Sequence, residues 1–192
     1  NPKEAKNITD LSYFHVNYVI KNLNRKIINE IIISKAFFKS KGVYGAESYI
    51  QGFSGYAIEC LLIYYKTFEK MARDFLKNDK IIIDPKKFYK SKDEVMVLLN
   101  ESKTRSPIVL VDPTWKDRNV LAALSDESFI KIKDAFRIYL SKKSILDFED
   151  KPVDIASIEN DAKSKGEEFI KIFLKTDKQE GDIAGTKMKK FY

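Results

Sequence analysis

Two adjacent runs decide how this chain is read: Lys41-Gly42-Val43-Tyr44-Gly45-Ala46-Glu47 and, after a short gap, Gln51-Gly52-Phe53-Ser54-Gly55-Tyr56. Four of the chain's seven glycines fall within these sixteen positions, so the backbone is expected to turn tightly here and to approach a ligand closely. A glycine, tyrosine and serine cluster beside an apolar helical pattern reads as a site for phosphates. A second cluster, Val111-Asp112-Pro113-Thr114-Trp115-Lys116-Asp117-Arg118-Asn119-Val120, reads as a loop that supplies an arginine. Together the two point to a nucleotide or an RNA end.

Outward from that centre the pattern is mainly helical with a few short strands, an α+β chain. Residues 1–17 read as an extended lead-in. Tyr18 to Lys41, with Ile20, Leu23, Ile27, Ile28, Ile31 and Phe38, reads as one long amphipathic helix. Ser54 caps a second helix that runs to about Tyr65, with Phe53 and Ile58 placed as a hydrophobic staple. Thr67 to Lys77 continues as helix. Lys80 to Ile83 reads as a strand stopped at Asp84-Pro85, and Glu94 to Leu99 and Pro107 to Val111 read as two more. Ser125 caps a helix to about Ser141, with Asp126 and Glu127 in its first turn. The charged stretch from Lys142 to Asp154, which carries Pro152, is the expected linker between a domain at 1–150 and a second at 151–192. In the second, Ile155 to Lys165 reads as a helix, and Glu167 to Lys175 alternates as a strand through Phe169, Ile170, Phe173 and Leu174. One strand and small helices bury too little surface to stand alone, so 151–192 is expected to be the start of a domain cut short.

Composition removes several classes. The chain has 192 residues, 44% of them apolar, which is enough for a real core. No run approaches the ~20 apolar residues of a membrane span, and Asn1 opens a charged stretch and not a signal peptide. A soluble, cytoplasmic protein with no membrane partner is therefore expected. The single cysteine, Cys60, excludes an internal disulfide framework and zinc clusters, and within Ile58 to Tyr65 it reads as a small buried hydrophobe. A formal charge of +7 favours a polyanionic partner, although lysine so outnumbers arginine that charge alone does not name RNA.

Several residues carry two readings each. Lys35 falls in the apolar stripe with Ile28, Ile31 and Phe38. Its stem can lie along the core while the ammonium snorkels out, or it can converge with Tyr44 on one anion, such as a triphosphate. Tyr44 is either a core aromatic or a ring that stacks on a base and donates its hydroxyl to phosphate. Gly52, Ser54 and Gly55 form an ordinary helix start that also presents free amides to RNA or phosphate. Arg118 pairs with Asp112 or Asp117, or holds a base edge or phosphate by bidentate hydrogen bonds.

Gly-Val-Tyr-Gly-Ala-Glu at 42–47, Gly-Phe-Ser-Gly-Tyr at 52–56, Glu59 with Leu61 and Leu62, and Val-Asp-Pro with Arg-Asn-Val between 111 and 120 form a set of motifs. Their order and spacing resemble the archaeal CCA-adding enzymes, the class I tRNA nucleotidyltransferases, over most of residues 14–148. The resemblance implies a helical substrate-binding domain of the poly(A) polymerase and oligoadenylate synthase type, followed by part of a ferredoxin-like α+β domain that grips tRNA. It implies an archaeal parent that adds C, C and A to the tRNA 3′ end from CTP and ATP, with Mg2+ held by a catalytic head. Lys35 and Tyr44 match family residues that contact the triphosphate, and Arg118 matches the arginine that helps select cytosine and adenine. His15 matches one of two adjacent family histidines, Val16 standing in the second place. The family's Tyr-Gly-Ser-Phe is here Tyr65-Lys66-Thr67-Phe68.

The head's signature, a Gly-Ser followed by two acids on a strand, is absent from the sequence. Asp147-Phe148-Glu149 has a tempting spacing but reads as a solvated charge run. No catalytic or metal-binding residue is therefore expected in this chain, and the isolated chain is expected not to catalyse. The partners implied are the tRNA 3′ end, CTP and ATP, with a homodimer left open. The alternatives are a non-catalytic RNA-binding module and part of a poly(A) or oligoadenylate polymerase.

Overall fold

Asn24 splits the long apolar helix of the sequence reading in two. Its backbone is extended and its side chain accepts the Ile27 amide at 2.9 Å, which ends one helix and caps the next. A computed structural model describes residues 8–149 and 154–172. Helix α1 is Ile8–Asn22 and α2 is Arg25–Ser40, so the expected extended lead-in is helical wherever it is described. Helix α3, Gly55–Tyr65, starts where Ser54 accepts the Ala57 amide at 3.2 Å. It ends at Lys66, whose φ of 69° is left-handed. Thr67 then caps α4, Phe68–Lys77, and Glu30 of α2 accepts the Phe68 amide at 2.7 Å.

Three strands follow: β1, Ile81–Ile83; β2, Ile108–Asp112; and β3, Trp115–Asn119. The order is β1-β2-β3, with β1 parallel to β2 and β3 antiparallel to it. A parallel pair needs a crossover, which is supplied by α5, Lys92–Leu98, and α6, Glu101–Thr104. Two expectations fail here. The expected strand over 94–99 is helix α5, because Ser91 caps it and Asp93 and Glu94 sit in its first turn. The expected Arg118 loop is strand β3, because Asp112 folds the chain back by accepting the Thr114 amide at 2.8 Å.

Helix α7, Asp126–Lys142, has Ser125 as its cap and packs on α4. The core between α2, α3, α4 and α7 is aromatic. Phe37, Phe38, Phe53, Phe68, Phe75, Phe129 and Phe136 are buried, and Phe37 stacks on Phe136 at 5.3 Å between ring centres. The expected linker at 142–154 is partly structural. Ile145–Phe148 is a 3-10 turn whose Phe148 lies edge-on to Phe37 at 5.2 Å. Asp147 is no solvated charge: it approaches Lys41 at 3.7 Å, and its carbonyl accepts the Ser40 hydroxyl.

The chain divides after Glu149 into two compact units. In the second, α8 is Ile155–Lys165, capped by Asp154 and closed by the left-handed Gly166. Among the described residues, 167–172 form no strand, since no neighbouring strand is there to pair with them. Residues 173–175 of the expected strand lie outside the described residues.

The opening glycine run is a backbone crossing. Gly45 donates to Phe53 O at 2.9 Å, Phe53 to Val43 O at 2.8 Å and Gly52 to Gly45 O at 2.9 Å. A Cβ on Gly52 would lie 2.1 Å from the Val43 carbonyl oxygen, which is backbone and has no room to yield. Replacing Gly52 with Ala is expected to destabilise the fold by about 2–3 kcal/mol, read as a lower urea midpoint at unchanged slope. An unshifted midpoint would refute this account of the crossing.

Candidate nucleotide-binding site

The crossing sets Tyr44 beside the start of α3. The Tyr44 hydroxyl lies 3.0 Å from the point a Cβ on Gly55 would occupy, and the Lys35 ammonium lies 3.8 Å from the same point. Glycine at 55 thus leaves room for two side chains to meet over the first turn of α3, whose leading amides lack intrahelical acceptors. Lys35 does not snorkel alone. Its ammonium donates to Glu59 Oε1 at 2.6 Å, with the lysine 33% and the glutamate 24% exposed. Ser54 is occupied as the cap, and Gly52 is buried with its amide donated to Gly45.

A second cluster forms on the buried Asp112 carboxylate. Asp112 Oδ2 accepts from Arg118 Nη1 at 2.7 Å and lies 3.2 Å from His15 Nε2. Asp112 Oδ1 accepts the Thr114 amide and hydroxyl at 2.8 and 2.7 Å and the Tyr56 hydroxyl at 3.1 Å. His15 Nε2 also lies 3.1 Å from Arg118 Nη1. Carrying a proton, that nitrogen donates to Asp112; bare, it accepts from Arg118. The arginine remains 26% exposed and the histidine 12%.

Burial pushes the Asp112 carboxyl up, but the hydrogen bonds from His15 and Thr114 and the nearby Arg118 charge outweigh it and hold the group at about 2. Burial, reinforced by Cys60 and Asp112, drives the Tyr56 phenol above its ordinary range. Burial likewise raises the thiol of Cys60, which stays protonated and inert as a wholly buried side chain.

Helix α3 joins the two clusters. Tyr56 stacks on His15 with ring centres 4.1 Å apart, and Glu59 holds Lys35. Tyr56, Glu59, Ser12, His15, Val16, Val19 and Ile20 line one cleft of about 360 Å³ between α1 and α3, ample for a small ligand. Lys35 and Tyr44 thus approach the same point above Gly55 and His15 meets Arg118, and among the described residues no hydrogen bond or ion pair joins one pair to the other. Sequence reasoning missed Tyr56 as the link and treated Asp112 only as one ion-pair option. The Asp-Pro-Thr turn was the available signal, because Asx turns take Asp followed by such residues.

The family of the tRNA nucleotidyltransferase second domain matches residues 29–149. The chain belongs to it. This tRNA nucleotidyltransferase domain is 42% identical to the CCA-adding enzyme of Nanoarchaeum equitans over 142 residues, 73% of the chain and 36% of that enzyme. It is 39% identical to that of Thermoplasma acidophilum over 132 residues, 69% of the chain and 27% of the relative. Against that of Sulfurisphaera tokodaii it is 34% identical over 143 residues, 74% and 32% respectively. The chain spans about a third of the length of the relatives it matches. Its mainly helical α+β fold accords with the domain family. No helix among the described residues is long and apolar enough to cross a membrane.

The Mg2+ implied by the resemblance does not fit this domain. Among the described residues no group of three or more His, Cys, Asp or Glu side chains could hold a metal ion.

Because the Asp112 carboxyl is depressed from its usual 3.8, its contribution to stability is complete above that value and is lost as pH falls toward about 2. Asp112→Asn is expected to lose about 3 kcal/mol at neutral pH. That deficit should shrink by about 2 kcal/mol between about pH 5 and about pH 2. Paired denaturation curves across that range check it, and a constant deficit would contradict it.

Proposed function

We propose that this chain is the nucleotide- and tRNA-end-binding part of an archaeal CCA-adding tRNA nucleotidyltransferase, which completes tRNA with C, C and A from CTP and ATP. The observation that carries the reading is the meeting of the Lys35 ammonium and Tyr44 hydroxyl over Gly55 at the head of α3. A cation, a phenol and helix-start amides together suit a polyphosphate. Beside the same first turn, where Tyr56 reaches Asp112, Arg118 is a planar donor group fixed by a buried carboxylate, suited to the edge of a base.

In this reading Lys35 neutralises phosphate charge, Tyr44 donates to the triphosphate, and Arg118, with His15 beside it, orients the base. Ser54 and Gly55 shape the helix start that faces the phosphates, and Gly52 serves the backbone crossing alone. The reaction is attack of the tRNA 3′ hydroxyl on the α-phosphate of CTP or ATP, with pyrophosphate leaving. Its magnesium-binding carboxylates belong to a head segment beyond the present sequence, so the isolated chain binds but does not catalyse. Such an enzyme works in the cytoplasm.

Calorimetric titration of the chain with CTP, ATP, UTP and GTP tests the residue roles. Lys35→Ala is expected to weaken both nucleotides alike, by about tenfold, the worth of one charge-assisted hydrogen bond. Arg118→Lys keeps the charge but loses the planar fork, so it is expected to change the ratio between the four nucleotides more than the overall affinity. Unaltered binding in both variants would remove both roles. In the longer protein, addition to tRNA lacking its end should stop after two cytidines and one adenosine. A long adenosine tail would favour the poly(A) polymerase reading, and no addition the binding module.

A further inference from the structure

Away from the cleft, the loop after β1 reads Asp84-Pro85-Lys86-Lys87-Phe88-Tyr89-Lys90-Ser91-Lys92, and all four of its lysines are exposed. A run of lysines that serves only solubility needs no fixed shape, yet this one is held at several points. Asp84 accepts the Lys86 amide at 3.2 Å and the Tyr89 amide at 2.9 Å, and Glu94 accepts the Lys90 amide. The Tyr89 hydroxyl donates to the Lys116 carbonyl of β3 at 2.8 Å. The Lys86 ammonium lies over the Tyr18 ring of α1, 5.4 Å from its centre. Phe88 is 44% exposed among these lysines.

Both tethers land on elements of the candidate site. Tyr18 is about one turn beyond His15 on α1. Lys116 is two residues before Arg118 on β3 and is exposed. The loop is therefore tied to the strand that carries Arg118 and to the helix that carries His15.

We propose that Lys86, Lys87, Lys90, Lys92 and Lys116 form a track for the phosphodiester backbone of an RNA strand whose end lies at the His15–Arg118 cleft, with Phe88 stacking on a base. The proposal rests on the nucleotide- and tRNA-end-binding reading and gives that site its approach path. Lysines act as point charges that grip phosphates without reading sequence, and an exposed ring accepts any base face. The track thus supplies affinity and register, while selection stays in the cleft.

The test uses the whole chain and a fluorescein-labelled short single-stranded RNA, with anisotropy read over a salt series. Lys87→Gln, Lys90→Gln and Lys92→Gln combined should weaken RNA binding about tenfold at low salt. The slope of log affinity against log salt should become shallower by about 2. Phe88→Ala should weaken binding by at least about fivefold. A control that removes three exposed lysines elsewhere, Lys26→Gln, Lys39→Gln and Lys70→Gln, should change much less. Equal losses in the two triple variants would mean that only net charge matters, and would overturn the track. So would undiminished RNA binding in the loop variant, no RNA binding by the unaltered chain, or binding to phosphatidylserine vesicles without binding to RNA. Titration with CTP and ATP should be unaffected by the loop changes. Loss of nucleotide binding in the unaltered chain would instead refute the cleft reading and leave the RNA result to stand by itself.

Discussion

One buried carboxylate organises half of the candidate site. Asp112 is wholly enclosed, and its two oxygens take hydrogen bonds from β3, α3, its own turn and, when the ring is protonated at Nε2, α1. A charge in that position is unfavourable unless every lone pair is met. The partners therefore cannot drift independently. Arg118, His15 and Tyr56 come from segments far apart in sequence, and their common acceptor fixes one relative placement for all three. Without it, β3 would lose the turn that begins it, and α1 a polar reason to lie where it does.

The other half of the site depends on packing and backbone geometry. Phe37 and Phe38 lock α2 into the aromatic core, and with it the helix that presents Lys35. The crossing of 43–45 over 52–53 then places Tyr44 above α3, at a distance only glycine at 52 and 55 permits. Two unrelated kinds of constraint, an ionic hub and a steric crossing, thus converge on the first turn of one short helix, at Tyr56 and Gly55.

Much of this was legible from the sequence because the signals are local. Ser54 and Ser125 announce their helices by side-chain chemistry that acts within one turn, and the apolar run at Ile81–Ile83 has strand character. The failures also have causes. Asn24 sits in a continuous apolar period, so its capping role was hidden by the stronger signal on both sides. Val95, Val97, Leu98 and Leu99 look like a strand, while the cap that makes them helical lies earlier, at Ser91. Strand β3 is polar along its length, since Lys116 and Asp117 face solvent at the sheet edge, and so lacks alternation. Phe148 was read with its charged neighbours, whereas its ring belongs to a core assembled from helices distant in the chain. The site residues Lys35 and Arg118 stand out by type and position, but the pairing of Lys35 with Glu59 and of Tyr56 with Asp112 depends on tertiary placement that no short window contains.

The ion pair between Lys35 and Glu59 has a consequence for exchange at the site. A carboxylate already occupies the ammonium, so on the proposed reading an arriving anion would compete with an internal surrogate and would not meet a bare cation. Groups carrying several negative charges win that contest more readily than singly charged ones. In the proposed binding role, Glu59 would retake the lysine as such a group leaves, so that the ammonium is never left without a counter-charge.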